Sequence, residues 1–424
     1  MVLAALAIPA CGGGSSSGGA PSAPPPPPEF AALYQELSRD LSAFQSVMDA
    51  LWDGSLGQPL WVGTLNTANG NSGLALLNPN TWTQTVQYLD ALVALGADAA
   101  KLDIHYPLLT RAFHDYLTER NSAYTATADD FLAFFRAVAA AARERGLKVF
   151  VDHSSLFPSY TAMDASGYYA SIKAAGAAEA RRRYRDERAA EAALIATELA
   201  PDRFTLLDEP NTQNANFGPV AGTPLFSPSG WQDYVEYAAG AIAAAAPDSP
   251  AKLGAGAGTW EQEEYVTRFA SIPGLSYLDF HVYPLRSTTT DYMQRLLDWI
   301  DLARSTAPSL DIVLGEAWLY KATASELGTI SDTEVHARYP WSFWEPLDRQ
   351  YLEVLYATAH AKRLAAVAPM WTVFFFKTFE YGDPSLAGLS PVEILAEAIR
   401  RSAENAAAGT LTSTGEKFRD IVNR

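Results

Sequence analysis

Two glutamates, each closing an apolar run, are the residues in this sequence best suited to do chemistry. The run FTLLDE ends at Glu209, and the run IVLGE ends at Glu316. A carboxylate beside a buried strand loses part of its hydration, which is unfavourable unless the group is paired or used. A salt bridge or a loop anchor would explain either glutamate alone. Facing each other across a pocket, the two could act as proton donor and nucleophile on one substrate bond.

The other polar and aromatic candidates also lie near the ends of apolar runs. In the segment DFHVYP, strand alternation places His281 and Tyr283 on one face. In the run 99–105, the same alternation turns Lys101 and Asp103 inward. We interpret these two residues as a paired polar layer inside the barrel rather than as catalytic groups. We expect the following side chains to bind substrate: Asn66, His105, His153, Asp208, Asn211, Trp260, His281, Tyr283, Trp318 and Trp371.

Eight short apolar runs alternate with amphipathic stretches along the chain. The runs are 60–66, 99–105, 147–153, 203–209, 252–257, 277–283, 311–317 and 370–376, and the helix-like stretches include 81–95, 127–145, 231–246, 292–305 and 347–366. Such spacing favours parallel strands, because these need crossover connections rather than tight hairpins. The count predicts an α/β protein with a (β/α)8 TIM barrel, whose reacting groups lie at the C-terminal strand ends. A doubly wound open sheet is the alternative, but no glycine-rich phosphate fingerprint follows the first run.

Composition and charge exclude several classes of protein. The chain has 424 residues, of which 48% are hydrophobic and 19% charged, as in a compact globular protein. A net charge of −17 opposes binding to phosphate backbones, so we expect no nucleic-acid partner. With one cysteine, the chain forms no intrachain disulfide and no cysteine-built zinc site. We expect a monomer that uses no cofactor and no metal.

The first residues resemble the signal of a bacterial lipoprotein. A short apolar stretch ends at Cys11, which would carry the lipid, and a segment rich in glycine, serine and proline follows it. We therefore expect an exported protein, periplasmic or on the cell surface, held to the membrane through Cys11; a chance cysteine in a low-complexity leader is the alternative. The predicted domains are 1–28, signal and linker; 29–56, an N-terminal helix across the lower end of the barrel; and 57–424, the catalytic barrel.

Around predicted strands four, six, seven and eight, the sequence resembles the retaining glycoside hydrolases of clan A. The resemblance implies that Glu209 is the acid/base, that Glu316 is the nucleophile and that Tyr283 hydrogen-bonds the nucleophile. Trp371 would floor the subsite of the reacting sugar, and the peptide bond after it would be cis. The implied activity is cleavage of β-linked poly- or oligosaccharide by double displacement, with carbohydrate as the partner.

Two positions depart from the family pattern. Clan members usually have asparagine before the acid/base, where this chain has Asp208, and Asp208 or Asn211 would take over the contact with the sugar. The arginine that many members carry on strand two is not evident.

Aromatic residues are numerous, as expected of a sugar-binding protein. Ten tryptophans and 20 tyrosines offer flat apolar faces to the C–H faces of sugar rings. The long segment 321–349, with Trp341 and Trp344, either walls a cleft or shuts one end of it. The sequence leaves endo or exo action and the substrate open.

The residues leave two alternatives open. A metal-dependent hydrolase would use His105, His153, His281 and Asp103 as ligands, although the paired-histidine spacing of common zinc motifs is absent. His105 and His153 could equally be neutral, hydrogen-bonded core histidines. The second alternative is a non-catalytic surface lipoprotein that binds glycan.

Overall fold

A computed structural model describes residues 24–424. Eight parallel strands close into a barrel in chain order, with β1 paired to both β2 and β8. The strands are β1 Leu60–Asn69, β2 Ala99–Tyr106, β3 Lys148–Ser155, β4 Arg203–Thr205, β5 Lys252–Gly258, β6 Tyr277–Val282, β7 Asp311–Ala317 and β8 Ala366–Pro369. The predicted (β/α)8 fold is confirmed.

Helices surround the barrel and connect consecutive strands. They are α1 Ala31–Leu51, α2 Pro79–Leu95, α3 Arg111–Arg120, α4 Ala128–Glu144, α5 Ala165–Lys173, α6 Ala177–Glu198, α7 Pro210–Phe217, α8 Pro228–Ala245, α9 Glu264–Ala270, α10 Tyr292–Thr306, α11 Asp332–His336, α12 Glu345–Ala361, α13 Pro391–Ala408 and α14 Ser413–Val422. Local sequence sets their ends: α4 begins at a capping box formed by Thr127 and Asp130, which satisfies backbone donors of the first turn.

The last strand differs from the sequence prediction. The run 370–376 is not a strand, because β8 is Ala366–Pro369 and Thr372–Phe375 forms a 3-10 helix. This aromatic turn packs against α14, where the rings of Phe375 and Phe418 stack at 4.6 Å. The helix predicted over 347–366 accordingly ends at Ala361, which leaves Ala366 free to begin β8.

The N-terminal helix lies beside the barrel and not across its lower end. α1 packs along α12 in the outer layer of helices. Tyr34, near its start, stacks on Trp344, and Trp52, just after its end, stacks on His360. Within residues 24–424, no helix is both long and apolar enough to cross a membrane. Cys11 lies outside the described residues.

The lower half of the barrel interior is mainly apolar, although the buried guanidinium of Arg203 lies over the rings of Phe150 and Tyr277. It contains a separate buried cluster of Val62, Ala99, Phe150, Tyr277, Val313, Ala366 and Ala368. Glycines on β5 make room for the larger partners, since a Cβ on Gly254 would lie 2.2 Å from the Tyr277 ring. Above this cluster, the inward positions become polar and lead to the C-terminal ends of the strands.

Candidate active site

A cavity of about 540 Å³ opens at the C-terminal ends of the strands, in the size range of small-molecule sites. Residues from the ends of all eight strands, or from the loops that follow them, line it. Of the residues predicted from sequence, the lining contains Asn66, His105, Asp208, Glu209, Trp260, Tyr283, Glu316 and Trp371.

Glu316 reaches this cavity because β7 contains a bulge. The register pairs Phe280 with Leu314 but His281 with Glu316, which leaves Gly315 as an extra residue on β7. Val313 belongs to the interior cluster, so strict alternation would turn Glu316 outward; the extra residue turns it inward. The position requires glycine, because a Cβ there would lie 2.2 Å from Asp279 Oδ1, the atom that accepts the Gly315 N–H at 2.7 Å.

Glu209 lies in a strained turn between β4 and α7. Its φ of 41° and ψ of 63° place it in the left-handed region, which is costly for a residue with a Cβ and is common at functional sites. Pro210 then occupies the first turn of α7. His281 Nδ1 lies 2.8 Å from Glu209 Oε1.

The two glutamates meet around His281. One oxygen of Glu209, one oxygen of Glu316 and one ring nitrogen of His281 all lie within 4.8 Å of one another. Burial lowers the pKa of His281, but the charge of Glu316 and the hydrogen bond with Glu209 raise it well above the ordinary value. The ring is therefore positively charged at neutral pH and places this charge between Glu316 and Glu209.

Glu316 is held ionised by its neighbours. Lys101 Nζ lies 2.8 Å from Glu316 Oε1, and the Tyr283 hydroxyl donates to Oε2 at 2.5 Å. Burial raises the pKa of Glu316, but Lys101 and His281 outweigh it and bring the pKa to about 2. A half-buried, ionised carboxylate that lines the cavity is suited to nucleophilic attack.

Lys101 has a larger part than the sequence suggested. Its ammonium lies 3.3 Å from Asp103, as predicted for a polar layer, but also 2.5 Å from Asp152, and it donates to the Gly315 carbonyl at 2.9 Å. Burial lowers the pKa of Lys101, and the surrounding carboxylates raise it well above normal. Lys101 thus supplies a permanent positive charge beside Glu316.

Asp208, directly before Glu209, is buried in a hydrogen-bonded pocket. Its Oδ1 accepts from the Ser154 hydroxyl at 2.7 Å and from Gln213 Nε2 at 3.0 Å. Burial and the nearby carboxylates raise its pKa to about 7, although His281 opposes the shift. A large share of Asp208 is consequently protonated near neutral pH.

Four residues predicted to bind substrate do not line the cavity. One of them, His281, is the buried ring that contacts Glu209. The other three face elsewhere. His153 is fully buried on the outer face of β3, with Nε2 3.1 Å from Glu191 Oε2. Asn211 turns towards α9, where its Oδ1 accepts from the Tyr265 hydroxyl at 2.9 Å. Trp318 packs against Phe374 and Phe375. On β3, alternation directs Asp152 and Ser154 into the cavity, so the neighbouring His153 faces outward.

His105 does line the cavity, as a neutral ring. Burial lowers its pKa to about 3, and its Nε2 lies 3.1 Å from Asn71 Nδ2. Tyr160 and His336 also line the cavity, and the sequence did not indicate them because they belong to loops outside the predicted strands.

The cis peptide bond expected after Trp371 is absent from the described part of the chain, where the one cis bond is Tyr106–Pro107.

The ligand set of the metal-hydrolase alternative is not assembled. In residues 24–424, the groups of acidic and histidine side chains close enough to share an ion contain neither His105 nor His153. One such group combines Asp103, Asp152 and Glu316, and Lys101 already contacts all three.

Solved structures share this fold at low sequence identity. An exo-β-1,4-mannosidase from Opitutaceae bacterium strain TAV5 is 16% identical with a TM-score of 0.50, over 87% of this chain and 60% of that protein. A GH5_18 protein from Streptomyces cattleya, in complex with GlcNAc, is 16% identical with a TM-score of 0.51, over 87% of this chain and 81% of that protein. A GH5_18 variant from Bifidobacterium longum, in complex with Manβ1-4GlcNAc, is 13% identical with a TM-score of 0.50, over 86% of this chain and 78% of that protein.

No family model matches the chain, and no curated protein matches it. This chain spans 60% of the Opitutaceae protein, and at such identities the likeness concerns the fold. The barrel therefore resembles those of sugar-processing proteins, and the site itself must supply the argument for function.

Proposed function

We propose that the protein is a retaining glycoside hydrolase that cleaves β-linked poly- or oligosaccharide. The observation that carries the proposal is the pair Glu209 and Glu316, with carboxylate oxygens within 4.8 Å of each other at the floor of a sugar-sized cavity. Their surroundings differ, since Lys101 and Tyr283 contact Glu316 but not Glu209. Different environments give two carboxyl groups different pKa values, so that one can act as the nucleophile and the other as the acid.

In the first step, Glu316 attacks the anomeric carbon while Glu209 gives its proton to the departing oxygen. The glycosidic bond breaks, a glycosyl ester forms on Glu316, and the leaving alcohol departs. In the second step, Glu209 takes a proton from water, whose oxygen attacks the same carbon and releases Glu316 as a carboxylate. Each step inverts the carbon, so the product keeps the starting configuration.

The carboxylate separation favours retention. Retaining enzymes hold the two groups about 5 to 5.5 Å apart, whereas inverting enzymes leave about 6.5 to 9.5 Å for a water molecule. In this protein one oxygen of Glu209 lies within 4.8 Å of one oxygen of Glu316, which is closer to the retaining separation than to the inverting one. The neighbouring structures support a β-linked substrate, because one is named an exo-β-1,4-mannosidase and another holds Manβ1-4GlcNAc.

The test uses two variants of the purified protein on aryl β-glycosides. Glu316→Ala and Glu209→Gln should each lower kcat/KM by about 10³-fold or more, because each removes a group that acts in the transition state. Azide should restore turnover of Glu316→Ala and yield a glycosyl azide of inverted configuration, visible by NMR. Near-normal turnover of either variant would remove that residue from the mechanism.

We also propose that the protein is an exported lipoprotein attached to the membrane through Cys11. The support is the sequence alone, an apolar stretch ending at the cysteine and followed by a linker. Cys11→Ala should move the protein from the membrane to the soluble fraction and abolish its labelling by a radioactive fatty acid. An unchanged distribution would refute the anchor.

A further inference from the structure

An aromatic contact crosses the mouth of the barrel. Tyr160, in the loop after β3, stacks on His336, in α11 of the loop after β7, with ring centroids 6.0 Å apart and planes at 22°. In a ring of eight strands, β3 and β7 lie opposite each other. The two loops therefore meet above the cavity instead of staying on separate walls.

Both ends of this contact, which we call the Tyr160–His336 bridge, are tied to the rim. On one side, the Phe157 N–H donates to Asn71 Oδ1 at 2.9 Å, which joins the loop after β3 to the loop after β1. On the other side, His336 packs edge-on against Trp371, with centroids 4.9 Å apart. These contacts enclose one side of the cavity. The enclosed side is the one formed by β8, β1 and β2, which lie between β7 and β3 in the ring.

The opposite side of the cavity has a different rim. There the half-buried side chains of Thr212 and Trp260 line the cavity next to Glu209. Trp260 lies 5.9 Å from the Tyr283 ring at a tilt of 60°, which leaves indole surface along the cavity. Carbohydrate therefore has an apolar surface to rest on at the side of β4 and β5.

We infer that the enzyme is exo-acting, and that the Tyr160–His336 bridge limits it to sugars at the non-reducing end. This inference rests on the proposed function. An acid protonates the leaving oxygen, so the leaving group lies beside Glu209 and Trp260. The sugar that Glu316 attacks then lies at the enclosed side, near Trp371 and under the bridge. A chain that continued beyond this sugar would collide with Tyr160 and His336.

The experiment follows the order of products from one defined chain. Aryl β-glycosides first identify the accepted sugar, and the probe is then a β-1,4-linked hexasaccharide of that sugar carrying a fluorophore at its reducing end. We expect labelled products that shorten stepwise from the non-reducing end, and little early loss of viscosity with the matching polysaccharide. Early labelled di- and trisaccharides with a sharp fall in viscosity would overturn the inference and leave the glycosidase intact. Absence of hydrolysis of every aryl glycoside would contradict the proposed function itself and remove the inference with it.

Variants test the bridge directly. The double variant Tyr160→Ala/His336→Ala should raise the ratio of internal to terminal cleavage at least tenfold, and Tyr160→Phe, which keeps the stacked ring, should retain the terminal pattern. Tyr237→Ala, which removes an exposed tyrosine on α8, is the matched control and should leave the pattern unchanged. Thermal unfolding shows whether the double variant is folded. A folded double variant that still removes only terminal sugars would show that the bridge does not set the mode of cleavage.

Discussion

The lower and upper halves of the barrel interior come from the same strands, but the lower half is mainly apolar and the upper half mainly charged. On β2, β3 and β6, the apolar residues Ala99, Phe150 and Tyr277 belong to the lower cluster. Two residues further along each strand stand Lys101, Asp152 and Asp279, all buried. One step of strand alternation therefore separates a region that stabilises the fold from one that places charges.

The upper half is crowded with acidic groups. Burial raises the pKa of Asp103 to about 7 and of Asp279 to about 6, against the attraction of Lys101. Burying charges is unfavourable even when they are paired. Stability and chemistry therefore depend on separate layers, so substitutions in one layer should affect one property far more than the other.

The strongest test of the upper layer is Lys101→Met, which keeps the length of the side chain and removes its charge. We expect kcat/KM to fall about 10³-fold, because a preorganised charge beside the nucleophile is lost. The pKa of Glu316 should rise without this cation, so the acid limb of the pH profile should move to higher pH.

The control for Lys101→Met is the same change at Lys252, an exposed lysine at the lower end of β5. Circular dichroism establishes that both variants are folded. A loss of rate without any movement of the acid limb would mean that Lys101 acts on packing rather than on the ionisation of Glu316.

Phe150→Ala tests the lower layer. Truncating this buried ring should lower the free energy of unfolding by about 3 kcal/mol, measured by urea denaturation, because the cavity it leaves is not refilled. At temperatures where the variant stays folded, kcat should stay within about threefold of the wild type. Leu51→Ala, at an exposed position on α1, should change stability by no more than about 0.5 kcal/mol. A fall in kcat matching the loss of stability would break the distinction between the layers.

Tyr283→Phe removes one hydroxyl from the upper layer and keeps the ring. The hydrogen bond to Glu316 Oε2 is donated to a charged group, so its loss should cost about 1.5 to 3 kcal/mol, or about 10- to 150-fold in kcat. Tyr351→Phe is the matched control, since that buried hydroxyl donates to the Val282 carbonyl at 3.0 Å, outside the cavity. Equal effects of the two variants in steady-state kinetics would argue against a role for Tyr283 in positioning Glu316.

The sequence was sufficient for the order of the elements, and its resemblance to clan A implied the hydrogen bond that Tyr283 donates to Glu316. It was insufficient where placement depends on a neighbouring strand or a distant loop. The bulge at Gly315 depends on Asp279 in β6, and Tyr160 meets His336 only after the barrel has closed. The phenylalanines after β8 suggested a strand, because aromatic residues favour strands until tertiary packing decides otherwise.

The same limitation explains the misplaced histidine and the underestimated lysine. His153 was predicted to bind substrate because it is polar and lies at a strand end. Phe150 and Asp152 both face the barrel interior, however, so the alternating position of His153 faces outward. Lys101 had been assigned to the correct face, yet its contact with Glu316 crosses the barrel, a distance that spacing along one strand does not reveal.

Asp208→Asn replaces a carboxyl group whose ionisation is disfavoured by burial and by the neighbouring carboxylates. Burial raises the pKa of Asp208 to about 7 in the folded chain, whereas an aspartate in an unfolded chain has a pKa near 3.9. Because the folded pKa is raised, its contribution to stability is present below about pH 4 and is lost as the pH rises to about 7. Asparagine keeps the acceptor for Ser154 and does not titrate. The stability of the variant relative to the wild type should therefore increase by up to about 1.4 kcal/mol per pH unit over that window, then stay constant.

Urea denaturation at several pH values between 4 and 8 measures this difference. Asp248→Asn, in an exposed turn, controls for the loss of one formal charge. If the difference in unfolding free energy between Asp208→Asn and the wild type does not change with pH, the pKa of Asp208 is the same in the folded and unfolded chain. Protonation of Asp208 would then not reduce the charge repulsion in the upper layer. If the two stabilities diverge while kcat at neutral pH is retained, the carboxyl before Glu209 is needed as a hydrogen-bond acceptor and not as a charge, which is the role an asparagine would fill.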